Sequence, residues 1–131
     1  MSDEGTINVL IVEPLKEPRM AEIETTLEAL EEIVGGPIEE IMPFDEEVVV
    51  VKSQEAHHSG LAMNRVIYTE KGEHIESVAG TFFICSAPFS HFGFKSLSDE
   101  QIEKYSKLYR YPDHFMPTHT GLIVESGRLN I

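Results

Sequence analysis

The amino-acid sequence predicts an α+β fold: a small, mostly antiparallel sheet with two amphipathic helices packed on it. Short β-branched or aromatic runs follow one another closely, and two other segments repeat apolar residues at helical spacing. Closely spaced strands favour antiparallel pairing over βαβ units. The length of 131 residues, 41% of them hydrophobic, suits one domain. We therefore expect a single domain over residues 1–131, with its core at about 6–112 and a C-terminal extension at 113–131.

The chain is predicted to begin with a β-hairpin. Residues Ile7–Val12 are almost all aliphatic and mostly β-branched, which is typical of a strand. Pro14 and Pro18 indicate a turn, because proline fixes φ and lacks an amide proton. Arg19–Ile23 is then expected to return as the second strand of the hairpin.

The clearest element is a helix over residues 25–34. Thr25 and Glu28 have the spacing of a capping box. Gly35 and Gly36 then supply the left-handed conformation that commonly ends a helix. One face of the helix is apolar and is expected to pack on the sheet. The residues of this face are Leu27, Leu30, Ile33 and Val34.

A second hairpin is predicted in the middle of the chain. Its first strand runs from Ile38 to Met42 and ends at Pro43, and its second strand is the valine run 48–51. Such an unbroken run is typical of a strand buried on both faces. Residues 53–60 are polar and irregular. The segment GLAMNRVI that follows has no decisive period, so no element is predicted there.

The second half of the chain alternates between strands and one helix. Ile75–Val78 and Phe82–Cys85 are predicted strands, and Phe89–Phe94 forms an aromatic, glycine-containing loop. A helix is predicted over residues 99–110, because Ser98 and Gln101 match a capping box and apolar residues recur at helical spacing. In the tail, a final strand is predicted at Thr120–Val124 and the rest is expected to be loop.

The distribution of charge excludes some functions. The net charge is −13, and the first fifty residues hold 14 acidic and two basic residues. A field of this sign repels phosphates, so direct nucleic-acid binding through a basic patch is not expected. Cys85 is the only cysteine and no apolar run approaches the ~20 residues of a membrane helix. The sequence therefore predicts a cytoplasmic protein without membrane contact, and it leaves open whether the protein is a monomer or a dimer.

The leading functional hypothesis concerns an acidic face. Glutamates recur at spacings of three and four along the first predicted helix, and two more follow closely in sequence. One interpretation is an anionic surface that binds a protein partner, in its most specific version by imitating DNA phosphates. The alternative is a solvated helix face that keeps the protein soluble. The residues of the predicted face are Glu24, Glu28, Glu31, Glu32, Glu39 and Glu40.

The second hypothesis is a site for a small molecule or nucleotide. Asn64 and Arg65 are adjacent, and the guanidinium of arginine binds carboxylate or phosphate in a fork geometry. Tyr68 is expected to supply an aromatic wall to the same site. The alternative is an internal salt bridge of Arg65 and ordinary aromatic packing. The further aromatic residues considered for base stacking are Phe89, Phe92 and Phe94.

No cofactor, metal or catalytic site is predicted, which makes a small hydrolase-type enzyme the weakest alternative. His57 and His58 are adjacent and would point apart on a strand, while prolines flank His114 and His119. Cys85 ends an apolar run, where a thiol is expected to be buried and inert.

Several short pieces occur in a distinctive order over residues 7–112. They are VLIVEP, KEPR, TTLEALEEIVGG, GLAMNR, AGTFFI and SLSDEQIEKY. Together they resemble an uncharacterised domain family, domain of unknown function family 3846, of bacterial phages, plasmids and other mobile elements. The family offers no catalytic residues to carry over. The resemblance implies only a context, that of an accessory protein in a bacterial host cell.

Overall fold

The computed structural model describes residues 5–89, 93–118 and 121–127, and all structural statements below concern those ranges. Nine strands and two helices lie within them. The strands are β1 (Thr6–Val12), β2 (Arg19–Glu24), β3 (Ile38–Ile41), β4 (Val48–Ser53), β5 (Met63–Tyr68), β6 (His74–Ala79), β7 (Phe82–Ser86), β8 (His114–Thr118) and β9 (Gly121–Glu125). The helices are α1 (Leu27–Val34) and α2 (Asp99–Leu108).

A five-stranded antiparallel sheet in the order β2-β1-β7-β4-β3 forms the centre of the fold. The predicted hairpins β1–β2 and β3–β4 are confirmed, and β7 joins them by pairing with both β1 and β4. The expectation of one sheet is wrong, since β5–β6 and β8–β9 form two further two-stranded sheets. The α+β class is confirmed.

Each face of the central sheet is covered by a different helix. In β4, Val49 and Val51 pack with α1, whereas Val48 and Val50 pack with α2 and the β5–β6 hairpin. All four valines are fully buried, as expected for a strand covered on both sides. We call the two sides the α1 face and the α2 face.

Capping residues in the local sequence mark the ends of the helices. Thr26, and not Thr25, caps α1, because the Thr26 hydroxyl accepts a hydrogen bond from the amide of Ala29 at 3.1 Å. The predicted Thr25 capping box is therefore wrong, while the left-handed stop at Gly35 (φ 87°) is confirmed. In α2 the predicted capping box of Ser98 and its partner is confirmed. Neither helix in the described ranges has the length and apolarity required to cross a bilayer.

Two strands had no counterpart in the predictions. Asn64 and Arg65 interrupt the apolar run of β5, although both are buried. Pro117 lies within β8, where a proline argues against a strand, and the tail was expected to be loop there. The predicted last strand appears as β9, although Thr120 lies outside the described residues.

Candidate functional site

Four of the predicted carboxylates lie together on the α1 side. On α1, which packs on the sheet through Leu30 and Val34, Glu28 and Glu32 are exposed and Glu31 is half-buried. Glu40 is paired with Val51 of β4, whose side chain lies on the α1 face, so Glu40 shares that face. Within residues 5–89, 93–118 and 121–127, none of these four carboxylates forms an ion pair. We call Glu28, Glu31, Glu32 and Glu40 the acidic surface.

The other two predicted carboxylates do not belong to this surface. Glu24 lies at the end of β2, and strand alternation from Met20, which pairs with Leu10, puts it on the α2 face. Glu39 is ion-paired with Lys52, whose Nζ lies 2.6 Å from the Glu39 Oε1. The expectation that all six share one face is therefore wrong for these two, because Glu24 precedes the helix and Glu39 alternates with Glu40 along a strand.

Lys52 is an almost fully buried cation that holds two carboxylates. Its exposed fraction is 5%, and its Nζ lies 2.6 Å from Glu39 and 3.0 Å from Glu76. Burial lowers the pKa of Lys52, but its bonds to Glu39 and Glu76 raise the pKa on balance. The charge of Glu39 is thus compensated inside the protein.

Arg65 is bound by acceptors within the protein. It is 1% exposed, and its NH2 group donates to the carbonyls of Lys16 (2.6 Å) and Tyr109 (2.8 Å). Its Nε also donates to Tyr109, and its NH1 group donates to Asn64 Oδ1 (2.8 Å) and to the carbonyl of Glu13 (3.5 Å). All five N–H donors of the guanidinium therefore have internal acceptors. The arginine joins the β1–β2 turn, β5 and the end of α2.

Asn64 and Asp113 complete this buried network. The Asn64 amide donates to the carbonyls of Val12 (2.9 Å) and Gly80 (2.8 Å). Asp113 is 3% exposed and accepts hydrogen bonds from the amides of Val66 (2.8 Å) and Gly127 (2.6 Å).

The charge of Asp113 balances that of Arg65. Burial lowers the pKa of Arg65, and the charge of Asp113 opposes that effect. Sequence reasoning missed Asp113, because no spacing motif connects it with a strand 47 residues earlier. Arg65 forms no ion pair within the described ranges, so the alternative of an internal salt bridge is wrong. Its acceptors are mainly main-chain carbonyls.

Tyr68 lies at a different place from Asn64 and Arg65, in a cleft between α2 and the end of β5. The cleft has a volume of about 260 Å³. At its base the rings of Phe44 and Tyr105 pack with their centroids 4.6 Å apart. Its wall residues include Tyr68, Glu70, Lys104 and Leu108. Mostly apolar walls with a few polar groups at the rim are typical of sites for small molecules.

A hydrogen-bonded carboxylate lies behind this cleft. Glu46 accepts bonds from the Tyr105 hydroxyl, from Gln101 Nε2 (2.9 Å) and from Lys104 Nζ (2.9 Å). The bond from Tyr105, followed by those from Gln101 and Lys104, lowers the pKa of Glu46 to about 2, against a smaller opposing effect of burial. Burial and the charge of Glu46 raise the pKa of the Tyr105 phenol. Neither group has the pKa near neutrality that suits a general acid or base.

The aromatic residues considered for base stacking do not gather around Tyr68. Phe94 packs against Phe83 on the α1 face, with ring centroids 6.5 Å apart. Phe89 is 80% exposed, and Phe92 lies outside the described residues. Among the residues of this aromatic set that the structure describes, Tyr68 alone lines the cleft.

The remaining chemically active side chains form no assembly in the described part of the chain. No group of three or more histidine, cysteine or carboxylate side chains there has the arrangement of a metal site. His57 Nε2 lies 2.9 Å from the carbonyl of Ser77, His114 begins β8, and His119 lies outside the described residues. Cys85 is buried, and burial raises the pKa of its thiol, which disfavours the nucleophilic thiolate.

Comparison with known proteins adds one match. A family model described as "Domain of unknown function (DUF3846)" matches residues 7–110. No curated protein and no solved structure matches the chain. The matched range contains the acidic surface and the cleft, while β8 and β9 lie beyond its end.

Proposed function

Because the chain belongs to the family described as domain of unknown function DUF3846, a description that carries no activity, we propose a function from its geometry: a non-enzymatic protein-binding domain. Its acidic surface engages a basic surface of the partner. One observation carries this proposal. The carboxylates of the acidic surface have no ion pair among the described residues, whereas two lysines compensate four carboxylates elsewhere. Those compensated carboxylates are Glu39, Glu46, Glu70 and Glu76.

The acidic surface is suited to recognition because it is rigid. Helix α1 is capped at both ends and packs on the sheet through Leu30 and Val34, so binding needs to order only the glutamate side chains and not the backbone that carries them. Leu27 was predicted to pack on the sheet, but it is 60% exposed and lies one helical turn from Glu31. An apolar side chain surrounded by charges fits the usual anatomy of an interface, with an apolar centre and a polar rim.

The more specific form of the proposal is DNA mimicry. Uncompensated carboxylates on a fixed frame attract a cationic groove over roughly a Debye length, about 8–10 Å at moderate salt. A protein that handles nucleic acid offers such a groove, and its affinity for phosphates falls steeply with salt. In this form the domain is an accessory protein of a phage or other mobile element, and it occupies the groove of such a protein in the bacterial cytoplasm.

The test compares two variants that remove the same number of charges. E28Q/E31Q/E32Q neutralises α1, and the control E17Q/E73Q/E100Q neutralises exposed carboxylates elsewhere. Binding to a panel of purified bacterial nucleic-acid-handling proteins is measured at about 50 mM and about 200 mM NaCl, with duplex DNA as competitor. We expect the α1 variant to bind about tenfold more weakly, about 1.4 kcal/mol, and the control to be nearly unchanged. Equal losses in both variants, or no binding by the wild type, would refute the proposal.

The cleft supports a second candidate function, the binding of a small aromatic ligand. Its volume of about 260 Å³ lies just below the roughly 300–1,000 Å³ of typical ligand pockets, which suits a single ring such as a nucleobase. Because all donors of Arg65 have internal acceptors, that residue is not part of this candidate site. Of the three residues predicted for a small-molecule site, Tyr68 is the one that lines the cleft.

A thermal-shift screen with nucleobases and nucleotides tests this candidate. A ligand at about 100 times its Kd adds about 2.7 kcal/mol to stability. L108W fills the cleft and should abolish the shift, whereas L27W, on the opposite face, should retain it. If no compound shifts the wild type, or if L108W responds like the wild type, the cleft is not a ligand site.

A further inference from the structure

The β8–β9 hairpin exposes apolar side chains on an isolated two-stranded sheet. Met116 is 47% exposed, and Leu122 and Ile123 are each 54% exposed. The two strands pair along their whole length but join neither of the other sheets. A two-stranded hairpin alone is at best marginally stable in water. We therefore expect another surface to cover the exposed apolar side chains of this hairpin. We call strands β8 and β9 the arm.

One face of the arm is apolar, and the other combines the apolar Met116 and Ile123 with polar residues. The pair Phe115–Val124 lies on one face and is half buried, whereas Met116 and Ile123 face the other side. One face can therefore rest near the body of the domain while the other still has large exposed side chains. Even on the mixed face, the side that is normally polar in a solvated hairpin, the side chains of Met116 and Ile123 are exposed.

Hydrogen bonds attach the two ends of the arm to each other and to β5. Asp113 immediately precedes β8, and it binds the amide of Val66 in β5 and that of Gly127 just after β9. A Cβ atom added at Gly127 would lie 2.1 Å from the carbonyl oxygen of Tyr111, so the chain passes very close to itself here. The arm is thus clamped at both of its ends to the same buried carboxylate.

The edge strands of the central sheet differ from the edge of the arm. The edge strands of the sheet are charged: β2 contains Arg19 and Glu24, and β3 contains Glu39 and Glu40. Charges on edge strands discourage pairing with other chains. By contrast β9 has the sequence GLIVE, whose single charge is at its end, and no strand of the described chain covers its outer edge.

The two outer edges of the arm are also unequal. Strand β8 contains Pro117, which cannot donate to a ladder and so protects that edge. Strand β9 has no proline and is aliphatic at its three central positions. Of the two, β9 is the edge that can accept another strand.

We propose that two copies of this chain pair through β9, antiparallel and about a twofold axis at Ile123, to form one four-stranded sheet. This register is self-complementary. Leu122 lies opposite Val124 of the second copy, and Glu125 lies opposite Gly121, so the two carboxylates do not face each other. Ile123 meets its own counterpart on the axis. A closed twofold contact of this kind uses the same patch on both partners.

The distribution of charge favours the arm as the place where two copies can meet. Two chains of net charge −13 repel each other over most of their surface. Glu125 is the only acidic residue of β8 and β9, so the arm is where two copies approach with the least repulsion. Salt should therefore strengthen this association, whereas salt should weaken binding through the acidic surface. The sign of the salt effect separates this inference from the proposed function.

Sedimentation equilibrium of the full chain tests the pairing. Chain concentrations up to about 500 µM detect dissociation constants into the millimolar range, and NaCl at about 0.1 M and about 1 M changes the Debye length from about 10 Å to about 3 Å. We expect a monomer–dimer equilibrium that tightens with salt. A wild type that stays monomeric throughout, or that assembles beyond a dimer, would overturn the proposal, as would binding only to a different protein.

Charge substitutions at the axis give the sharper test. I123K places two lysines opposite each other and should weaken the dimer roughly tenfold or more, because like charges directly opposite in a sheet are destabilising. M116K adds the same charge on the same side of the arm but away from the axis, and should weaken it much less. Mixing I123K with I123E should restore dimers that neither variant forms alone.

Each of these results has a contrary outcome. If the mixture stayed monomeric while circular dichroism and thermal unfolding showed both variants folded, the β9 axis would be wrong. Equal weakening by I123K and M116K would also contradict it, since Met116 is paired with Ile123 on the same face but lies one strand farther from the proposed axis.

Discussion

On the α1 face of the central sheet the charged side chains lie outside an apolar core, whereas the α2 side, which also carries the exposed Glu24, has charged groups inside the protein. Glu28 and Glu32 are exposed and make no ion pair within the described ranges. Lys52, Arg65 and Asp113 are at most 5% exposed, and each is hydrogen-bonded within the protein. No buried side-chain nitrogen or oxygen in the described part of the chain lacks a partner. The exposed, unpaired carboxylates of the acidic surface and the buried, hydrogen-bonded charges therefore lie in different regions of the protein.

This difference has a physical basis. An exposed carboxylate interacts through water and contributes little to stability, so it is free to serve recognition. A buried polar group that loses its partner bears the full cost of desolvation. Substitutions on the α2 side should therefore act on folding, and those on α1 should act on binding.

The largest effect is expected at Arg65. R65L leaves the carbonyls of Lys16 and Tyr109 without their donor and leaves Asp113 without a compensating charge. Breaking a buried charged network of this kind costs about 3–5 kcal/mol. Urea unfolding at neutral pH measures the change. R65K should recover less than half of the loss, because an ammonium lacks the planar fork.

The matched control for Arg65 is Arg110, which is exposed. R110L should change the free energy of unfolding by no more than about 0.5 kcal/mol. If R65L and R110L had the same free energy of unfolding, the buried arginine would contribute no more to stability than the exposed one, and the proposed difference between the regions would be wrong.

The next effect is expected at Asp113. D113N keeps one carbonyl oxygen as an acceptor but turns an amide group toward a main-chain N–H, either that of Val66 or that of Gly127. We expect a loss of about 2–3 kcal/mol, because one donor is left unsatisfied and the buried guanidinium is uncompensated. The double variant with R65L should be less destabilised than the sum of the single variants. Strict additivity in urea unfolding would mean that Asp113 and Arg65 are not coupled.

Glu46 should give a smaller, pH-dependent effect. Its pKa is about 2 in the folded protein and 4.5 as the ordinary value, so its contribution is present above about pH 4.5 and is lost as the pH falls toward 2. Solvent reaches 31% of the Glu46 side chain, which screens the network, and we expect about 1–2 kcal/mol at neutral pH.

The measurement is urea unfolding of E46Q and wild type between pH 7 and pH 2. The difference in the free energy of unfolding should be constant above about pH 5 and should close below about pH 4. A difference that stays constant down to pH 2 would show that the Glu46 carboxylate has an ordinary pKa.

The same contrast explains what could be predicted from the sequence. The valine run of β4 and the capping box at Ser98 are local signals, and both are confirmed. Arg65 could not be placed, because its acceptors are mainly main-chain carbonyls, which any residue can offer. Strand β5 was not predicted for a related reason: Asn64 and Arg65 are buried, but in the sequence two adjacent polar residues are typical of a loop. The clustering of acidic residues was visible in the sequence, but their division between two faces depends on strand alternation at Glu39 and Glu40.

The smallest effects are expected within α1, and they should differ in sign along the helix. Glu28 lies in the first turn, where the helix dipole favours a negative charge, so E28Q should destabilise by about 0.3–0.5 kcal/mol. Glu32 lies near the C-terminal end, where no basic residue balances it, so E32Q should stabilise by a similar amount. Urea unfolding at low salt measures both, and high salt should abolish both. If both substitutions stabilised the protein equally, general repulsion among the 23 acidic residues would outweigh the dipole of α1, and the acidic surface would lower stability as a whole.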